Sequence, residues 1–182
     1  MDDEPARERI LSAAEALFAE RGFAATPTSR IAEQAGVPKG LVHYYFARKV
    51  DLLEALVERL PPGCAVAAEP GDLAANLRRA VTVLDEELAS SAVLSHLLWR
   101  EADTHPAVLE ALQSRYERIV AAIAAVIAVS VEAPHSAVEG AARLLSSALS
   151  YRHAVARHGE LIDMDPEIDL IVAAFASGPW PD

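Results

Sequence analysis

Apolar residues return at three- and four-residue intervals along most of the chain, the signature of helices with one buried face. From Arg7 to Arg21 the stripe is Ile10, Ala14, Leu17 and Phe18. Gly22 can close that helix in a conformation other residues avoid, and Phe23 can fold back onto it. Thr26 has N-cap chemistry and Pro27 suits a first helical position, so a second, short helix is predicted there, with Ile31, Ala32 and Ala35 inward. Gly36 ends it and Val37 packs from the turn. A third helix follows from Lys39 to Phe46, with Val42 and Phe46 four residues apart on one face.

The pattern continues with a fourth helix over 49–60, carrying Leu52, Leu53, Leu56, Val57 and Leu60. "PPGCAVAAEPG" then breaks it as a loop. A fifth helix is predicted over 72–89 with Leu73, Leu77, Val81 and Leu84 inward, and a sixth over 92–102. Pro106 opens a seventh, with Leu109, Leu112, Tyr116, Ile119, Ile123 and Val126 in register. Pro134 starts an eighth, and Pro166 lies near the start of a ninth that ends at "SGPWPD". No run alternates like a strand, so the fold class is all-α with about nine helices. The longest apolar run, Ile119 to Val131, is broken by Ser130 and too short to span a bilayer. The acidic start "MDDEPARER" is no signal peptide, and Cys64, the single cysteine, has no internal partner for a disulfide. A soluble, cytoplasmic protein with no membrane partner is expected.

Charge changes the picture. The chain has a formal net charge of −11, and residues 61–182 hold eight Arg/Lys against seventeen Asp/Glu. Residues 22–49 run the other way, with Arg30, Lys39, Arg48 and Lys49 against Glu33 alone. Global sign sets solubility, while a local basic island marks a surface for a polyanion. Two short helices joined by a glycine turn form a helix-turn-helix, whose second helix enters the major groove with its N-terminal residues against base edges. With Val42 and Phe46 inward, Lys39, Gly40, His43 and Tyr44 face out. Gly40 costs the helix about 1 kcal/mol relative to Ala, which makes sense where a backbone must meet a partner closely. Any one of His43, Tyr44 and Tyr45 is equally an amphipathic ring covering the core edge. Together, inside the one positive segment, they fit a phosphate-gripping surface better.

The segment "AAEALFAERGFAATPTSRIAEQAGVPKGLVHYYFARKVDLLEAL" resembles the DNA-binding domain of the TetR family of transcriptional regulators, over about the first sixty residues and with spacing kept throughout. The resemblance implies a helix-turn-helix domain over 1–48 and an effector-binding and dimerisation domain over 49–182. It makes Lys39 and Gly40 the start of the recognition helix, with Lys39 reading guanine edges. Leu41 stands where the family usually has Thr, trading a hydrogen bond for contact with a thymine methyl. His43, Tyr44, Tyr45 and Lys49 fall at phosphate-gripping positions. Thr26 and Thr28 open the second helix, whose N–H groups can meet a phosphate, and Ser29 is at a position where some members read a base. Pro38 replaces a common Ser, so no side chain caps the recognition helix.

The family further implies a homodimer on a palindromic double-stranded DNA operator, released by a small-molecule effector, usually as a repressor. Ala137, Gly140, Ala141, Leu144, Leu145 and Ala148 give the eighth helix a small-and-leucine stripe suited to a dimer interface. His96, Trp99, Tyr116 and Tyr151 are polar-tipped rings among aliphatic neighbours and serve as effector-contact candidates. No cofactor is implied. An enzyme is disfavoured: no phosphate loop or nucleophile elbow occurs, and Pro106 takes His105 off the helical face that would join it to His96 and Glu101 as metal ligands. An all-α interaction module, or a small-molecule-binding helical protein without sequence-specific DNA binding, is the alternative that salt-dependent DNA binding separates.

Overall fold

Nine α-helices order the described residues in a computed structural model of the chain, which describes residues 5–61, 66–156 and 161–178. They are α1 (Ala6–Arg21), α2 (Thr28–Ala35), α3 (Lys39–Tyr45), α4 (Lys49–Val57), α5 (Leu73–Ser90), α6 (Ala92–Ala102), α7 (Pro106–Ser130), α8 (His135–Ala156) and α9 (Asp165–Ser177). The all-α reading and the helix boundaries therefore hold to within a few residues. Cys64, on which the disulfide argument turned, lies outside the described residues. No helix among the described residues is long and apolar enough to cross a membrane.

The chain divides into two compact units. The first takes residues up to Leu60 together with Ser91–Gln113, so α6 and the first turns of α7 pack with the N-terminal head. Its core is organised by α1, which packs against α2, α3, α4 and α6. Ile10, Ala14 and Phe18 are fully buried, as are Ile31 of α2, Val42 of α3, Leu52 and Leu56 of α4 and Leu98 of α6. The second unit takes residues 61–90 and 114–182. Leu77 and Leu84 of α5, Ile123 and Ile127 of α7, Ala142 and Leu149 of α8 and Ile168 of α9 form its core.

Polar side chains fix the register in each unit. In the first, Arg59 donates to Glu8 Oε2 (2.7 Å), Glu15 Oε2 (3.1 Å) and the Glu8 carbonyl (3.1 Å), tying the chain just after α4 to α1. In the second, buried Asn76 donates to Ser130 Oγ at 2.9 Å and to the Glu69 carbonyl at 2.6 Å. Arg78 reaches Asp165 (2.8 Å) and Asp169 (2.6 Å) of α9. Asp85 of α5 accepts from Arg152 of α8 and lies 2.8 Å from His153 Nε2.

One expectation is corrected at the start of α2. Thr26 is not the N-cap; Pro27 is, with extended backbone and no side-chain cap bond. The Thr26 side chain is fully buried, and its hydroxyl donates toward the Gly22 carbonyl (2.8 Å), with the Leu17 carbonyl at 3.3 Å. The reason is that the carbonyl of Gly22, the C-cap just past α1, has no intrahelical donor, and the extended Pro27 turns Thr26 back toward it. Gly36, by contrast, closes α2 as expected, in the left-handed conformation (φ 63°, ψ 38°).

Two outcomes follow for stability. Thr26→Val keeps the shape but leaves the Gly22 carbonyl without its hydroxyl donor, and should lower stability by about 1–3 kcal/mol in urea denaturation. Arg59, by its side-chain hydrogen bond, holds the Glu8 carboxyl below the usual carboxylate range. A depressed carboxylate stabilises the fold above its unfolded-state pKa, and that contribution disappears as pH falls through its folded-state pKa. Thermal melts of Glu8→Gln should accordingly lose less between neutral and acidic pH than those of the parent chain.

Candidate nucleic-acid interface

The surface begins with what α3 hides. Val42 is fully buried and Phe46, its C-cap, is 5% exposed. A seven-residue helix with those two positions inward leaves Lys39, Gly40, His43 and Tyr44 on the outside, and all four are exposed. Tyr44 is 79% exposed, and its ring meets that of Tyr45 edge-on with centroids 5.2 Å apart. Leu41 is half-buried. Pro38 is the N-cap and makes no side-chain cap bond, as its lack of a donor or acceptor side chain requires.

Beside α3, the first turn of α2 presents Ser29 exposed and Thr28 half-buried. The four basic side chains of the island differ in how their charge is used. Arg30 pairs with Glu33 at 3.0 Å, and Arg48 pairs with Asp51 at 2.7 Å. Asp51 also accepts the Arg48 backbone N–H at 2.9 Å, which caps α4 and holds its own carboxyl below the usual range. Lys39 has no ion-pair partner among the described residues and is exposed. Lys49 is half-buried, donating to the Ala24 carbonyl at 3.3 Å with its ammonium 4.4 Å from the centre of the Phe23 ring. Burial pulls its pKa down, and the Glu101 carboxylate opposes that.

Among the described residues, Gly40 meets nothing that would require a glycine. A Cβ built there meets nothing within 4 Å, and its backbone is ordinary helix. The side-chain-free surface is therefore open to whatever approaches α3.

The N-terminal segment matches the family model described as bacterial regulatory proteins, tetR family, over residues 10–56. The head belongs to the TetR family. An HTH-type transcriptional repressor of Streptomyces coelicolor is 31% identical over 127 residues, covering 69% of this chain and 65% of the relative. The regulator TtgR of Pseudomonas putida is 43% identical over 54 residues, covering 30% of this chain but only 26% of that protein's length. The matched part spans only 26% and 65% of these relatives' lengths. Solved structures share the fold across the whole chain. A TetR-like regulator from Rhodococcus sp. RHA1 aligns with a TM-score of 0.67 at 22% identity, covering 98% of this chain and 100% of that one. A SmeT–triclosan complex gives 0.66 at 22%, with the same coverage.

Behind this TetR-type head the remaining predicted residues fall apart by location. His96 and Trp99 belong to the first compact unit, Tyr116 and Tyr151 to the second. His96 is half-buried, whereas Trp99 is 54% and Tyr151 71% exposed. Tyr116 is half-buried and its hydroxyl lies 2.8 Å from Ser147 Oγ. On α8, Leu145 is buried in the unit's own core, at 1% exposure, and is withdrawn from the dimer stripe. Ala137, Ala141 and Ala148 are half-buried, and Gly140 and Leu144 are exposed. The bare stripe of α8 is Gly140, Leu144, Ser147 and Tyr151, spaced four, three and four apart. Sequence reasoning missed that Tyr151 belongs to it, although the spacing alone would have placed it there.

Replacing Gly40 with Ala separates the two uses of that position. The variant should be as stable as the parent or more so, by up to about 1 kcal/mol, because Ala favours helix and meets no obstacle. DNA affinity measured by fluorescence anisotropy should fall even so. A more stable protein with unchanged affinity would show that nothing approaches α3 at this point.

Proposed function

We propose that this chain is a DNA-binding transcriptional regulator, a ligand-responsive repressor that binds a palindromic operator as a homodimer. The observation that carries the reading is the bare face of α3: a lysine without an ion-pair partner and a glycine without a close neighbour among the described residues, a histidine and a tyrosine, in the one positive island of an acidic chain. Lys39 reads a base edge, Gly40 and Leu41 approach the groove, and His43, Tyr44, Tyr45 and Lys49 grip phosphates. The α2 start contributes Ser29 and the N–H groups of Thr28 and Ser29. Thr26 serves the fold instead, since its side chain is inside.

Two copies are needed because the reading helices of a dimer must reach major-groove faces about 34–36 Å apart. The stripe Gly140–Leu144–Ser147–Tyr151 on α8, with exposed Leu170 on α9, is the pairing surface. A small effector is supported by two structures of the same fold, complexes with triclosan and with choline. Tyr116 is the effector contact retained in the second unit; Trp99 and Tyr151 lie too far in the open to wall a pocket. The work is cytoplasmic, where the operator is.

Selection of bound fragments from genomic DNA, followed by anisotropy titrations in a salt series, tests the reading. A specific complex with six to ten phosphate contacts loses about 10³–10⁵ in affinity between 50 and 200 mM salt. Binding that ignores salt, or no binding, would instead favour an interaction module. Lys39→Ala should relax preference at one base per half-site by about 1–3 kcal/mol. Leu144→Glu, at a position 70% exposed in the single chain, should give a folded monomer by sedimentation with lost operator affinity. A dimer that survives the change would move the pairing surface elsewhere.

A further inference from the structure

Lys49 owes its place to a ring outside the reading surface. Its ammonium sits over the face of Phe23, 4.4 Å from the centroid, and donates to the neighbouring Ala24 carbonyl at 3.3 Å. The ring is itself clamped by two others. Phe18, fully buried, meets it edge-on with centroids 5.2 Å apart, and His105 does so at 4.9 Å and 77°. His105 is half-buried at the junction of α6 and α7, immediately before Pro106. From the same junction Arg100 donates to the Phe18 carbonyl at 3.1 Å, which also accepts the Gly22 N–H at 2.9 Å. The loop from α1 to α2 is thus gripped on one side by residues 100–105 and on the other by Lys49, all within the first compact unit.

A lysine on the surface samples many rotamers, and ordering it on a phosphate costs free energy at the moment of binding. One already seated on an aromatic face loses less. An ammonium has three donors; the Ala24 carbonyl takes one, so a phosphate oxygen can take another without unseating it. The seat also lies in the loop that leads directly into α2, whose first N–H groups have no side-chain cap. Ring and carbonyl together aim the charge where a helix start offers its own donors.

We infer that Phe23, backed by His105, is a positioning residue that holds Lys49 ready for phosphate contact. This rests on the DNA-binding reading above. Neither ring touches DNA in this arrangement; they act through the lysine.

The test is a double-mutant cycle on operator affinity with the full-length chain: parent, Phe23→Leu, Lys49→Ala and the pair, with Phe23→Tyr as the ring-preserving control. Phe23→Leu should weaken binding about three- to tenfold, the range of a half-buried cation–π contact. Phe23→Tyr should bind like the parent, and in the Lys49→Ala background the Phe23→Leu loss should vanish. A merely structural ring would weaken both backgrounds equally, and that additive result overturns the inference, as does tighter binding by Phe23→Leu. Should Phe23→Leu not fold, His105→Ala takes its place, expected to weaken the parent and leave Lys49→Ala unchanged. In the DNA-free protein, the ring-current displacement of the Lys49 side-chain proton resonances should be present in the parent and absent in Phe23→Leu; its absence from the parent overturns the seat directly. Failure of the parent to bind any DNA would overturn the regulator reading and the role of Lys49 with it, whereas binding with an additive cycle overturns the positioning role alone.

Discussion

What the head shows to a partner depends on the burial of Val42 and Phe46. A helix of seven residues is too short to be stable alone, so α3 exists because those two side chains are driven into the core that α1 organises. Removing Val or Phe from water contributes about 1.5–3 kcal/mol each, enough to fix the helix rotation without help from a side-chain cap. Once rotation is fixed, the identity of the exposed residues is no longer a choice. Lys39, Gly40, His43 and Tyr44 are outside because Val42 and Phe46 are inside.

That constraint gives the charge distribution its meaning. The island of residues 22–49 is less positive in effect than its composition suggests, since Arg30 and Arg48 are each paired within one helical turn. Exposed pairs of this kind contribute little to stability, but they cancel charge locally and order the helix starts. Attraction for a polyanion then falls to Lys39, Lys49 and the uncapped start of α2. In the acidic remainder, charges more than about 8 Å from a bound phosphate are largely screened at physiological salt. Contact chemistry at α3, rather than long-range attraction, decides where such a head stays on DNA.

The fold was largely legible from periodicity because each helix carries its own apolar stripe and its own stops. Gly36 announces the end of α2, Pro106 the start of α7, and Leu73, Leu77, Val81 and Leu84 the inner face of α5, all of them buried. The bare face of α3 was legible for the same reason. What periodicity missed depends on contacts between distant segments. Thr26 has N-cap chemistry, and nothing local says that the carbonyls ending α1 compete for its hydroxyl. Lys49, Phe23 and His105 share no pattern, yet stack in one place. Leu144 and Leu145 are adjacent leucines, and which faces inward depends on the packing of α5 and α9 against α8, not on composition.

In the second unit, polar groups help decide which helix faces turn inward. Polar groups join the hydrocarbon at its edge and inside it: half-buried Asp85 and His153 meet buried Arg152 at one carboxylate oxygen, and buried Asn76 spans to Ser130. Such groups are weak contributors to net stability, but removing one partner from a buried pair costs about 3–5 kcal/mol. They therefore penalise a slipped register of α5 on α8 more than leucines would. With the inward face so determined, the outward stripe of α8 is determined too, and it carries Gly140, Leu144, Ser147 and Tyr151 without an acidic residue. Glu139 at its margin has Arg143 3.5 Å away. In a chain whose net charge of −11 opposes association, a strip free of carboxylates brings no like charges together, which is the physical argument for the pairing surface proposed above.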